Sequence, residues 1–185
     1  METQKRKQNE KEKAERRMKI VAGLGSIDEY IPYVLAGADE LFCGYVPYNW
    51  TKKYGTVLPL NRREVLAYNV QLGSFSELEI LSAMIRKYRK PVHIAMNSLY
   101  YIPEQYEEIA DIVKQCMKIG FDSFILADPA LILYLRQKGI SCKIHPAWVS
   151  LWSIASRAFC SGVTKSTSGN YCKFYLLYHA RANEI

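Results

Sequence analysis

The sequence predicts an α/β fold of parallel βα units, as an incomplete (β/α)8 barrel or a doubly wound sheet. Three observations carry that expectation. From Lys19 onward, short apolar runs alternate with helix-like segments, the pattern of repeated βα units. The segments LAGADELFC (35–43) and KIGFDSFIL (118–126) use one turn twice: a helix end, Gly-x-Asp, then an apolar strand. In each, Gly suits the left-handed residue that ends a helix, and Asp can accept from amides left free in the tight turn. The strand runs are near-continuously apolar, as expected where both faces of a parallel sheet are covered. Five strands are clear and a sixth is doubtful. A complete barrel usually takes roughly 250 residues, and the chain has 185. A doubly wound sheet is the other arrangement this pattern allows.

The first strand is KIVAGLG (19–25), and Ser26-x-x-Glu29 reads as a capping box opening a helix to about Ala36, stopped by Gly37. ELFCGY (40–45) is the second strand. The following stretch holds Pro47, Gly55, Pro59 and several aromatic residues, and is expected to be a long irregular loop with a functional role. It ends in NRREVLAYNVQLG (61–73), read as a short helix. Ser74-x-x-Glu77 is a second capping box, and Leu78, Leu81, Ile85 and Tyr88 share one face of the helix behind it. PVHIAMN (91–97) is a strand. Pro103 opens a helix to Lys118, with Ile109, Ile112, Val113 and Met117 recurring at three and four residues. DSFILAD (122–128) is the next strand, ALILYLRQKG (130–139) the next helix and SCKIHPAW (141–148) the fifth strand. Beyond Trp148 the pattern weakens: 149–162 can form a helix, and KFYLLYHA (173–180) is the doubtful strand.

Composition sets the class. With 49% apolar, 12% aromatic and 23% charged residues, collagen, coiled coil and wholesale disorder are excluded. The net charge is +7, of which residues 1–17 contribute +3 from seven basic residues against four Glu. That stretch interleaves Glu with Lys and has no aromatic residue to stack on bases, so it reads as a solvated, disordered tail. Met18 directly precedes the first apolar run and is a candidate alternative start. The expected organisation is a tail (1–17), a βα-repeat partial barrel (18–148) and an atypical C-terminal segment (149–185). No run approaches the ~18 apolar residues of a membrane span, and no signal peptide is visible, so no membrane partner and a cytoplasmic location are expected. Five cysteines, with no C-x-x-C pair, indicate reduced thiols rather than a disulfide framework or zinc ribbon.

The order VAGLGSIDEYIPYVLAGADELFCG (21–44), the run from Val92 through IAMNSLYYIPEQYEEIADIVKQCMKIGFDSFILADPALILYLRQKG (94–139), and KIH (143–145) resembles the N-terminal part of the collagenase-like peptidases, peptidase family U32. The match runs over about residues 19–145. Its pieces are Gly37-Ala38-Asp39 through Gly44, the strands ending in Asn97, Asp128-Pro129 and His145, and the Gly120-Phe121-Asp122 turn. The resemblance implies a TIM-barrel-like catalytic domain and a peptidase-like hydrolase acting on peptide or protein. Other members act in hydroxylation of RNA or ubiquinone precursors, some with a cysteine-held iron–sulfur cluster, and that chemistry, or a non-catalytic binding module, is the alternative. The family's cysteine signature lies downstream of the matching part, so none of the five cysteines here is assigned to it and metal and cofactor stay unassigned. After His145 the chain departs from the family pattern with Pro146-Ala147-Trp148. A premature stop or frameshift near residue 146 is the expectation that would account for that departure and for the short length. An open parallel sheet also exposes edge strands, and self-association through them is expected.

In a TIM-like barrel, ligands meet the C-terminal ends of the strands. The candidate catalytic residues are therefore Asn97, to orient a carbonyl or amide; Asp128, as general base or metal ligand; and His145, as acid, base or ligand. Gly44 and Tyr45 are the candidate substrate-contacting pair. Each has a bland counterpart. Asp128 precedes Pro129 and a helix, the pattern of an N-cap. Asn97 can simply hold a loop, His145 can be a satisfied core histidine, and His93 reads as packing. Cys43 reads as a buried small apolar group. Gly23 and Gly25 form a weak phosphate-loop signal. Tyr45, Tyr48, Trp50 and Tyr54 can stack on bases, line a peptide groove or cover the barrel end.

Overall fold

A computed structural model describes residues 18–55, 57–62 and 71–147. Strand β1 (Val21–Leu24) leads through a single 3-10 turn into α1 (Tyr30–Leu35), and β2 (Glu40–Tyr45) into α2 (Tyr48–Tyr54). A two-residue strand β3 (Gln71–Leu72) precedes α3 (Phe75–Tyr88), followed by β4 (Val92–Met96), α4 (Pro103–Lys118), β5 (Ser123–Leu126), α5 (Pro129–Gln137) and β6 (Lys143–Pro146). The expectations for 1–17 and for everything past Ala147, including the strand at 173–180, fall outside the described residues.

All strand pairs are parallel, and the order is β1-β2-β4-β5-β6, with β3 pairing β2 at Gly44 and Tyr45. The five longer strands thus follow chain order with no reversal. A doubly wound sheet needs a switch point where the order reverses, and none occurs among the described residues. The α/β expectation of parallel βα units holds, and the sheet is open over the described residues.

The register separates the strand residues into two faces. Pairs Cys43↔Ile94 and Ile94↔Phe124 put Leu41, Cys43, Val92, Ile94, Met96, Phe124 and Leu126 on one side, all buried and packed with Leu78, Leu81, Ile109, Val113, Leu131 and Leu135 of the helices. Pairs Phe42↔His93 and Ile125↔His145 put Glu40, Gly44, His93, Ala95, Ser123 and His145 on the other. The expectation of strands apolar on both faces is corrected here. One face is apolar, and the opposite one mixes Glu40, His93, Ser123 and His145 with Phe42, Ile125, Gly44 and Ala95.

The repeated turn forms as expected. Gly37 and Gly120 adopt φ of 100° and 106°. In both, the glycine amide donates three residues back and the next amide five back, Gly37 to Val34 with Ala38 to Tyr33, and Gly120 to Met117 with Phe121 to Cys116. A third copy closes α5, where Gly139 has φ of 71° and Ile140 donates to Leu135. These are Schellman ends, which settle the last carbonyls before each new strand. Asp39 also accepts from the Ile20 amide at 3.0 Å, whereas Asp122 instead pairs with the Lys143 ammonium at 2.6 Å.

Three local expectations change. Ser26 makes no side-chain cap, because Glu29 reaches one residue further and accepts from the Gly25 amide at 2.6 Å. The box at Ser74 half forms: Glu77 accepts from the Ser74 amide at 3.0 Å, while the Ser74 hydroxyl pairs with Ser76. The stretch after β2, expected to be irregular, opens with the helix α2. Trp50 on that helix is fully buried, stacks on Tyr54 at 4.5 Å between rings and donates its indole N–H to the Leu58 carbonyl at 3.2 Å.

Candidate active site at the strand ends

Three loops meet beyond the C-terminal ends of β2, β4 and β5, and polar side chains join them. Asp128, buried behind β5, accepts from the Ala130 amide at 2.8 Å, capping α5 as its sequence position suggested. Its second oxygen accepts from the Tyr101 amide at 3.1 Å and from the Tyr106 hydroxyl at 3.2 Å. One carboxylate therefore fixes both the start of α5 and the loop leading into α4. Asn97 accepts from the Arg62 amide at 3.1 Å, so it holds the segment 57–62 over the end of β4. The same segment is fastened by Ser98, which donates to the Pro59 carbonyl at 2.5 Å, and by the Tyr101 hydroxyl, which donates to Leu60 at 2.7 Å. Asn61, almost wholly buried, donates to the Ala95 carbonyl at 3.0 Å.

Between segment 57–62 and the loop at 98–105 lies a cleft of about 180 Å³, lined by Val57, Leu58, Pro59, Arg62, Ser98, Leu99, Tyr100 and Gln105. Leu99, Tyr100 and Val57 stay exposed at its rim. Gln105, only 1% exposed, accepts from the Ile102 amide at 3.0 Å with its oxygen. Its amide nitrogen is buried and meets no acceptor among the described residues.

A second polar cluster sits at the strand starts. Glu40 is paired with Lys19 and lies 3.5 Å from the His93 ring nitrogen Nε2, while Nδ1 of His93 is 2.7 Å from the Ser123 hydroxyl. The His145 ring packs on His93 with 4.5 Å between centroids. His145 thus joins the strand-start cluster and is not brought together with Asn97 and Asp128.

Gly44 lies at the strand ends, but the side chains of Asn61 and Gln71 cover it; a Cβ there would come within 2.6 Å of the Asn61 amide nitrogen. Tyr45 alternates to the helix-covered face, where burial and then the neighbouring Cys116 raise its pKa. The structure does not bring these two to one surface. Cys43 is on that same covered face, with its thiol pKa pushed up chiefly by burial and secondarily by Cys116, and points away from His145. The Gly25 amide that a phosphate would use is taken by Glu29. Of the four aromatic residues considered for stacking, Tyr48 alone is exposed, and Trp50 and Tyr45 are buried.

Cys43, Cys116 and Cys142 are buried free thiols, and no group of three or more His, Cys, Asp or Glu among the described residues could hold a metal. An iron–sulfur cluster therefore has no ligand set there. Sequence reasoning missed Asn61, Arg62, Ser98, Tyr101 and Gln105. The signal for Ser98 and Tyr101 was their place between a strand end and a helix start, where barrel ligands bind, and for Gln105 its place in the first turn of that helix; Arg62 and Asn61 gave none. No described helix is long and apolar enough to cross a membrane.

Comparison with known proteins gives one family. No curated protein matches the chain. The solved structure of the U32 peptidase Mk0906 superposes with a TM-score of 0.50 at 12% identity, over 81% of this chain and 56% of that one. The likeness supports the shared fold, and this chain spans little more than half of that structure. The family model for peptidase family U32 matches residues 25–152, which contain β2 through β6 and both walls of the cleft. The chain belongs to peptidase family U32.

Proposed function

We propose that this chain carries the peptide-binding part of a peptidase-like hydrolase site, located at the C-terminal ends of its strands and completed as a TIM-like barrel. The observation that carries the reading is the cleft at 57–62 and 98–105, an apolar-rimmed groove at the ligand-binding end of a U32-family fold. An extended peptide would lie along Leu99, Tyr100 and Val57. Hydrolysis adds a water to the scissile carbonyl and breaks its C–N bond, which requires a group to orient that carbonyl and one to take the water's proton and pass it to the leaving amine. Asn97 is assigned the first role. For the second, Asp128 is the proposed group, at the cost of one of its three hydrogen bonds, because the His145 ring packs on His93 in the strand-start cluster. Gly44 contributes by letting Asn61 and Gln71 approach the end of β2, and Tyr45 by filling the layer beneath it.

Mixing the 185-residue chain with end-blocked peptides, and following both binding by calorimetry and cleavage by mass spectrometry, tests the reading. Cleavage lost in Asp128→Asn and kept in His145→Gln supports the full assignment. Binding without cleavage keeps the peptide site here and removes the catalytic roles from these residues. Absence of binding overturns the reading.

A further inference from the structure

We propose that the cleft recognises the free C-terminal carboxylate of a peptide whose last residue is apolar. The inference rests on the peptide-binding reading above and names the part of the substrate this cleft takes.

Two residues that line the cleft carry donors: Gln105, whose amide nitrogen meets no acceptor among the described residues, and Arg62, which has no ion pair among them. The Gln105 amide nitrogen is buried with no acceptor among the described residues, although the other end of the same amide is engaged by the Ile102 amide at 3.0 Å. That bond fixes which end of the side chain is the donor. A buried donor left unmatched carries a desolvation cost that an entering acceptor removes. Arg62 lines the same cleft, and no carboxylate among the described residues lies within ion-pair distance of it. A guanidinium and an amide N–H2 carried by two residues that line one cleft suit an anionic, planar, two-oxygen acceptor. Ser98 is not available, because its hydroxyl donates to Pro59.

The remaining lining is Val57, Leu58, Pro59, Leu99 and Tyr100, which fits an aliphatic group attached to the carboxylate. The volume, about 180 Å³, falls below the ~300–1,000 Å³ of pockets that enclose a whole ligand. It accommodates the end of a ligand whose remainder lies outside, along the exposed rim. A chain terminus meets both demands.

Acetyl-Ala-Ala-Leu as the free acid, the same peptide as its C-terminal amide, and isovalerate are titrated into the 185-residue chain by calorimetry. The free acid is expected to bind at least tenfold tighter than the amide, and isovalerate more weakly than the peptide acid. Gln105→Glu keeps an acceptor for the Ile102 amide and is the residue favoured at that helix position, so the fold is retained, with a thermal melt as the check. It should cost at least tenfold for the free acid and leave the amide unchanged. Arg62→Gln gives the same selective loss without touching the helix. Equal binding of acid and amide overturns the proposal while leaving peptide binding intact. Isovalerate binding as tightly as the peptide acid overturns the peptide end as the source of the carboxylate. If neither peptide binds, the proposal and the peptide-binding reading fall together.

Discussion

Polar residues gather at both ends of this sheet, and the two ends use them differently. At the strand starts, side chains satisfy one another: Glu40 sits with Lys19 and His93, His93 with Ser123 and His145. At the strand ends, side chains grip backbone: Asp128, Asn97, Asn61, Ser98 and Tyr101 each bond a main-chain group of a neighbouring loop or strand. The first arrangement locks strands in register. The second positions loops, and loops carry binding groups. The same chemistry thus gives a structural end and a candidate functional end, in line with the polarity of barrel folds.

Substitutions can break or sharpen that contrast. Trp50→Ala has the largest expected effect, since it empties a fully buried site and frees the Leu58 carbonyl that braces the cleft wall. A loss of about 3–5 kcal/mol by denaturant melting is expected, together with loss of peptide binding. Alkaline pH probes the apolar layer lying between the two ends. Burial pushes the Cys116 thiol up to about 12 from an ordinary 9.0, so its neutral form is favoured in the folded state. The associated stability is complete below pH 9 and is lost as pH rises toward 12, about 4 kcal/mol at the upper limit. Melts of wild type against Cys116→Ala across that range should converge as pH rises.

Asp128→Ala removes a helix cap and strands the Tyr101 amide and Tyr106 hydroxyl. About 2–3 kcal/mol is expected from a lost cap and buried donors left unmatched, with weaker peptide binding. Ser123→Ala, at the other end, should cost about 1 kcal/mol and leave peptide affinity unchanged by calorimetry. Equal effects of the last two on binding would erase the distinction between the ends.

The sequence made some of this plain. The helix at 103–118 and the strand at 40–45 appear with the expected bounds, because a three-and-four apolar repeat behind Pro103, and a short apolar run between Gly-x-Asp and Pro47, leave little alternative. The cap at Asp128 was legible because cap and first-turn proline are adjacent in sequence. Helix α2 was not, since its anchor is the burial of Trp50 against the fold, a tertiary effect. Likewise the apolar strand runs concealed Glu40, His93 and Ser123, which only the register places on one face. Tyr45 was misplaced for the same reason: one step along the strand turns its ring from the strand-end surface to the helix layer. His145 ends a strand in sequence, but its ring packs toward His93. The cleft itself was hidden, because it is built from two loops some forty residues apart joined by side-chain-to-backbone bonds.

Amide chemical-shift mapping with acetyl-Ala-Ala-Leu tests the central claim most directly. The account predicts shifts concentrated at Leu58, Leu60 to Arg62, Ser98 to Tyr101 and Gln105. Shifts concentrated instead at Glu40, His93, Ser123 and His145 would contradict it, by placing the peptide at the strand starts.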